Sequence, residues 1–141
     1  MRPGVTLAEL VVVCTFTALV AAIGIPRTQY ILDGIRMRQA AHEVAGAMTL
    51  ARAAAIRRGG YSRLIVMESE RAVQVESGSD TLLRRDLGRM HRVGIRASRD
   101  TITYAPTGLG HGVANSTIVV TIGERAETLT VSRLGRMRVS W

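Results

Sequence analysis

The chain has no lysine: its 19 basic residues are all arginine, set against 11 acidic ones, for a formal net charge of +8. Arginine suits phosphate and carboxylate recognition, because its planar fork donates paired hydrogen bonds. The base composition of a genome produces the same bias, so both readings stay open; either way the positive sign favours anionic partners. Cysteine occurs once, as Cys14, inside the most apolar stretch, which excludes an intramolecular disulfide and fits a small hydrophobe. Aromatics make up only 4% of the residues, too few for a large aromatic core, and 141 residues leave room for one domain. His42, His91 and His111 are scattered, with no pair at metal-ligand spacing, and no serine stands in a nucleophile-elbow context. The glycine-rich run Gly108-Leu109-Gly110-His111-Gly112 leads into a β pattern and not into a helix N-terminus, which makes it a poor phosphate loop. No enzyme activity, metal or cofactor is expected.

What the chain does have is a long apolar run. From Val5 to Ile25 it reads VTLAELVVVCTFTALVAAIGI, with Glu9 as the only charge. Twenty-one residues suffice to cross a bilayer as a helix. A removable secretory signal is the alternative, with Arg2 as its charged region and Ala18–Ala22 as a cleavage region. Glu9 speaks against it, since a carboxylate at that depth costs roughly 2.5–3.5 kcal/mol on insertion scales and marks a functional position.

The segment Arg2-Pro3-Gly4-Val5-Thr6-Leu7-Ala8-Glu9-Leu10 resembles the leader of the type IV filament superfamily, the pilins of type IV pili and the pseudopilins of type II secretion. It has a short basic leader ending in glycine, then an apolar residue, Thr-Leu and glutamate before the hydrophobic run. Val5 stands where the family usually has phenylalanine, and Pro26 matches a familiar position at the end of the run. The resemblance implies that prepilin peptidase cuts between Gly4 and Val5 and methylates the new amino group. Residues 1–4 would be the leader, 5–26 a transmembrane helix in the bacterial inner membrane, and the remainder periplasmic. Glu9 would pair with the amino terminus of a neighbouring pilin or pseudopilin, setting register through the N-terminal helix. Charge placement alone points the other way: Arg27, Arg36 and Arg38 follow the span while only Arg2 precedes it, although long following domains translocate largely regardless of charge.

Beyond Pro26 a helical pattern continues to Arg58, with Ile31, Ile35, Val44, Ala45, Met48, Ala51 and Ala55 at steps of three and four. Residues 27–58 therefore read as an amphipathic continuation of the helix, weak at Gly34 and Gly46 and stopped by Gly59-Gly60. From residue 59 to 141 the period becomes two. Strands are expected at Tyr61–Met67, Arg71–Glu76, Thr81–Leu87, Arg92–Arg96, Thr101–Tyr104, Thr117–Ile122, Thr128–Ser132 and Arg136–Ser140. The predicted fold is α+β: a long N-terminal helix packed on an antiparallel β-sheet domain.

This second half resembles the GspH/FimT family of minor pseudopilins and minor pilins. The likeness lies in Tyr104-x-x-x-Gly108, an apolar strand at Ile118–Ile122 and a closing strand opening with Gly135-Arg136. In the FimT branch a Gly-Arg-x-Arg tail is associated with DNA uptake, and Gly135-Arg136-Met137-Arg138 matches it. Alternation along a strand would put Arg136, Arg138 and Ser140 on one face and Met137, Val139 and Trp141 on the other. The resemblance makes Arg136 and Arg138 candidate phosphate contacts; an edge strand whose arginines blunt pairing is the competing reading. The expected function is a structural subunit of a type IV pilus or type II secretion pseudopilus, with DNA capture in natural transformation as the alternative.

Overall fold

The structure, a computed structural model, describes residues 4–112, 115–132 and 136–140, with the side chains of Ile25 and Pro26 excepted. Arg2, Pro3, Gly135 and Trp141, on which parts of the leader and tail readings rest, lie outside the described residues. The chain divides into two units, residues 1–34 and 35–141, which share one helix and are described separately.

That helix, α1, runs Leu7–Arg58 without interruption, through both Gly34 and Gly46. Its end is set by backbone geometry. Gly59 takes a left-handed φ of 62°, its N–H donates to the Ile56 carbonyl, and the Gly60 N–H reaches back to Ala55. This is the reciprocal glycine stop that satisfies the last carbonyls of a helix. In the first unit the helix is apolar and long enough to cross a membrane, with a mean hydropathy of 2.3 over its most apolar window and no residue of that window buried. Cys14 is exposed there with its neighbours.

In the second unit the helix buries one stripe: Met37, Ala40, Ala41, Val44, Ala47, Met48, Ala51, Ala54 and Ala55. Ile31 and Ile35, expected on the packing face, are 61% and 48% exposed. The angle explains it, because Ile35 precedes Val44 by nine residues, about two and a half turns at 3.6 residues per turn. Ile35 therefore points away from the side that Val44 buries.

Two antiparallel sheets complete this unit and make up the expected antiparallel β-sheet domain. The first joins β1 (Ser62–Met67), β2 (Ala72–Ser77), β3 (Asp80–Asp86), β5 (Thr101–Tyr104) and β6 (Gly110–His111) in the order β3-β2-β1-β5-β6. The second joins β4 (Gly94–Ala97), β7 (Ser116–Ile122), β8 (Arg125–Val131) and β9 (Met137–Ser140) in the order β4-β7-β8-β9. Alternate residues of both enter one core with the alanine stripe: Leu64, Val66, Val73, Val75 and Ile102 from the first, Ile95, Ile118, Val120, Leu129 and Val131 from the second.

Three further differences from the sequence reading have local causes. A short helix, α2 (Leu87–His91), fills residues that had no assignment and takes Leu87 from the end of a strand. Asp86 caps it by accepting from the Arg89 N–H at 2.8 Å, and Arg92 closes it at φ 58°, which delays β4 to Gly94. Strand β8 starts at Arg125, three residues early, because the turn is shorter than Gly123-Glu124-Arg125 and Gly123 supplies a φ of 55°. Within the glycine-rich run, Gly110 and His111 pair with Tyr104 and Thr103, so part of that loop is strand.

Candidate functional site

Gly4 and Val5 precede α1 and are exposed. Thr6 is the residue just before the helix and Glu9 the third within it. The Thr6 N–H donates to Glu9 Oε2 at 3.0 Å, and the Glu9 N–H donates to Thr6 Oγ1 at 3.3 Å. The Thr6 hydroxyl also donates to Oε2, at 3.1 Å. These reciprocal bonds form a capping box, satisfying two donors that a helix start leaves orphaned. The signal was present in the sequence as Thr6-x-x-Glu9, and the sequence reading did not use it. Val5, Ala8, Val12 and Val13 line one concavity with Glu9, so the carboxylate sits among apolar side chains of its own helix and the residue before the cap.

The second candidate lies at the other end of the chain. Strand β9 is the edge of its sheet, and its register pairs Met137 with Val131, Arg138 with Thr130, Val139 with Leu129 and Ser140 with Thr128. Val131 and Leu129 are buried, whereas Thr130 is exposed and Thr128 half-buried. Met137 and Val139 therefore share the core face, and Arg138 and Ser140 the outer one, as the alternation predicts. The Arg136 N–H donates to Ser132 Oγ at 3.2 Å and its carbonyl accepts from the Ser132 N–H at 2.9 Å, which ties the arginine to the end of β8. Arg136 and Arg138 are exposed and line a groove of about 430 Å³ with Thr130, Ser132 and Met137. The two candidate sites lie in different units.

The remaining motif residues are structural. Tyr104 is buried, and burial raises its phenol above the usual value, partly offset by the Arg52 charge. Gly108 turns the chain at φ 77°, its N–H donating to the Ala105 carbonyl at 2.8 Å. A Cβ there would meet Ile56 Cδ1 at 2.7 Å and would have to displace that side chain, and the left-handed φ itself favours glycine. Tyr104-x-x-x-Gly108 thus seats the β5–β6 hairpin on the helix. His91 is buried and its Nε2 lies 3.0 Å from Glu43 Oε1, while His111 meets Tyr61 edge to face and His42 is exposed. Among the described residues no three His, Cys, Asp or Glu side chains gather to hold a metal ion.

A long N-terminal helix with two antiparallel sheets packed on it in the second unit is the type IV pilin-like architecture. The family described as type II transport protein GspH matches residues 40–135, and the chain belongs to that family. The type IV minor pilin FimU of Pseudomonas aeruginosa shares the fold in two crystal forms. At 14% identity these give TM-scores of 0.60 and 0.62, covering 73% and 74% of this chain and 91% and 87% of theirs. The minor pseudopilin EpsH from the type 2 secretion system of Vibrio cholerae is 10% identical with a TM-score of 0.58, over 74% of this chain and 96% of its own. No curated protein matches the sequence.

Proposed function

We propose that the chain is a minor pilin or pseudopilin, a non-enzymatic subunit of the tip or priming complex of a type IV pilus or type II secretion pseudopilus. Residues 1–4 are its leader, removed by prepilin peptidase between Gly4 and Val5 with methylation of the new amine. Residues 5–26 hold it in the inner membrane, with residues 27–141 in the periplasm. One observation carries the reading: a chain matched by the GspH family over residues 40–135 has an apolar run, Val5–Ile25, whose lone acid, Glu9, stands four residues after Val5. In a packed filament the Glu9 carboxylate takes the Val5 ammonium of a neighbour as counter-ion, so the charge is tolerated in the assembly. Intact mass spectrometry of membrane fractions tests the processing. A mature chain starting at Val5 with one added methyl group is expected; a start beyond Ala18 rules the proposal out.

A second reading concerns DNA. Arg138 on the edge strand β9 and Arg136 just before it are exposed and line one groove, which supports a phosphate-contacting role in a competence pilus. Duplex DNA binding that weakens with salt, and loses slope when both arginines become alanine, is its test.

A further inference from the structure

Strand parity gathers a second set of polar side chains beside the tail arginines. On the outer face of the β4-β7-β8-β9 sheet, register runs Thr117, Thr130, Arg138 in one row and Arg96, Val119, Thr128, Ser140 in the next. The opposite face buries Ile95, Ile118, Val120, Leu129 and Val131, which fixes the outward direction of these rows. The groove beneath the arginines continues along the first row: an adjoining hollow of about 270 Å³ shares Thr130 and Ser132 with it and extends to Thr117, Asn115 and Ser98. Among the described residues, the outward-facing positions of these strands include arginines at both edges, Arg96 and Arg138, and no carboxylate. The one acid on β8, Glu127, is buried on the core side.

Resting on the DNA reading above, we infer that this whole sheet face, and not the tail alone, is the seat of a nucleic-acid duplex held by its sugar-phosphate backbone. Three features select that occupant. The guanidiniums meet no carboxylate across the face, so they complement a polyanion. Arg96 and Arg138 stand three strands and one row apart, about 16 Å from 4.7–4.9 Å per strand and about 3.4 Å per residue, a span the long arginine stems can close onto phosphates flanking a duplex groove about 12 Å wide. No aromatic side chain lines either hollow among the described residues, whereas single-strand binders stack bases on aromatic rings. The Thr117 and Thr130 hydroxyls donate to phosphate oxygens between the arginines, and such backbone contacts carry no sequence information, so binding is indifferent to sequence.

The test uses the full chain in nonionic detergent, a fluorescent 20-base-pair duplex and a salt titration. Arg96→Ala, far from the tail in sequence, should lower the slope of log K against log salt by about 0.9, and Arg136→Ala with Arg138→Ala by about 1.8. Thr117→Val with Thr130→Val keeps strand-forming side chains. It should weaken binding roughly tenfold at unchanged slope, because hydroxyls displace no counterions. Arg63→Ala, on the other sheet and paired with Glu76, should change nothing. If the tail variant loses binding while the Arg96 and threonine variants match wild type, the face is not the seat, yet the DNA reading stands. If the wild type binds no duplex at low salt, that reading fails and takes the inference with it. Equal displacement of the duplex by heparin at matched charge overturns nucleic acid as the occupant.

Discussion

Glu9 Oε2 accepts from both the backbone N–H and the hydroxyl of Thr6, at 3.0 and 3.1 Å, so the carboxylate is already hydrogen-bonded within its own helix. Capping and subunit pairing are thus two separable demands on one side chain. Glutamine can still accept from the Thr6 N–H but carries no charge. Glu9→Gln should therefore insert in the membrane at least as well as wild type and lose co-purification with neighbouring pilins. Thr6→Ala should weaken the helix start by about 1 kcal/mol and retain most assembly. Membrane fractionation with co-purification measures both, and a Glu9→Gln variant that assembles normally would show that Glu9 serves as a cap alone.

Gly108→Ala should destabilise the protein by about 1–3 kcal/mol, because it combines a φ of 77° with a Cβ 2.7 Å from Ile56 Cδ1. A fall in Tm of roughly 5–15 °C is expected from the usual scaling. Repeating the change with Ile56→Ala relieves the clash and not the backbone strain, so part of the loss should return. An unchanged melting curve for Gly108→Ala would contradict the close contact.

His91→Phe should cost about 1–3 kcal/mol by leaving the Glu43 carboxylate without its 3.0 Å partner, since Glu43 Oε2 is already buried without a hydrogen bond. Adding Glu43→Leu removes the stranded acid and should recover part of that loss. A double-mutant cycle in urea gives the coupling, and strict additivity would mean the pair contributes nothing.

Tyr104 sets an alkaline limit. Burial raises its folded pKa above the usual 10.0, so above about pH 10 the unfolded chain releases a proton that the folded one keeps. Stability is therefore unaffected below that point and falls as pH climbs through the folded value. The urea midpoint of the wild type should drop as pH rises above about 10, and Tyr104→Phe should flatten that drop. Equal slopes for the two proteins would remove Tyr104 as the cause.

What could be read from the sequence follows from which residues have unambiguous physical preferences. Gly59-Gly60 marked the helix end because a left-handed stop favours glycine, and the alternation at Met137–Ser140 placed Arg138 outward correctly. Alanine hid the buried stripe: Ala40, Ala47 and Ala54 are buried, Ala53 half-buried and Ala126 exposed, and nothing in the residue type distinguishes them. The short helix was missed because its signal is one capping aspartate, Asp86, and five residues are too few to show a period. The sheet face escaped notice since Thr117 and Thr130 are thirteen positions apart and become neighbours only through the β7–β8 register.

The alanine stripe bears on how the protein carries load. Six alanines, from Ala40 to Ala55, have no rotamers to lose on burial and none to change afterwards. A tug along the axis of α1 in the second unit would therefore meet a rail made largely of methyl groups set against the sheets, with Met37 and Met48 its only long side chains among those buried. Slippage would have to shear the whole seam at once. In the filament subunit proposed above, such a joint would transmit force from helix to sheets as a stiff coupling does.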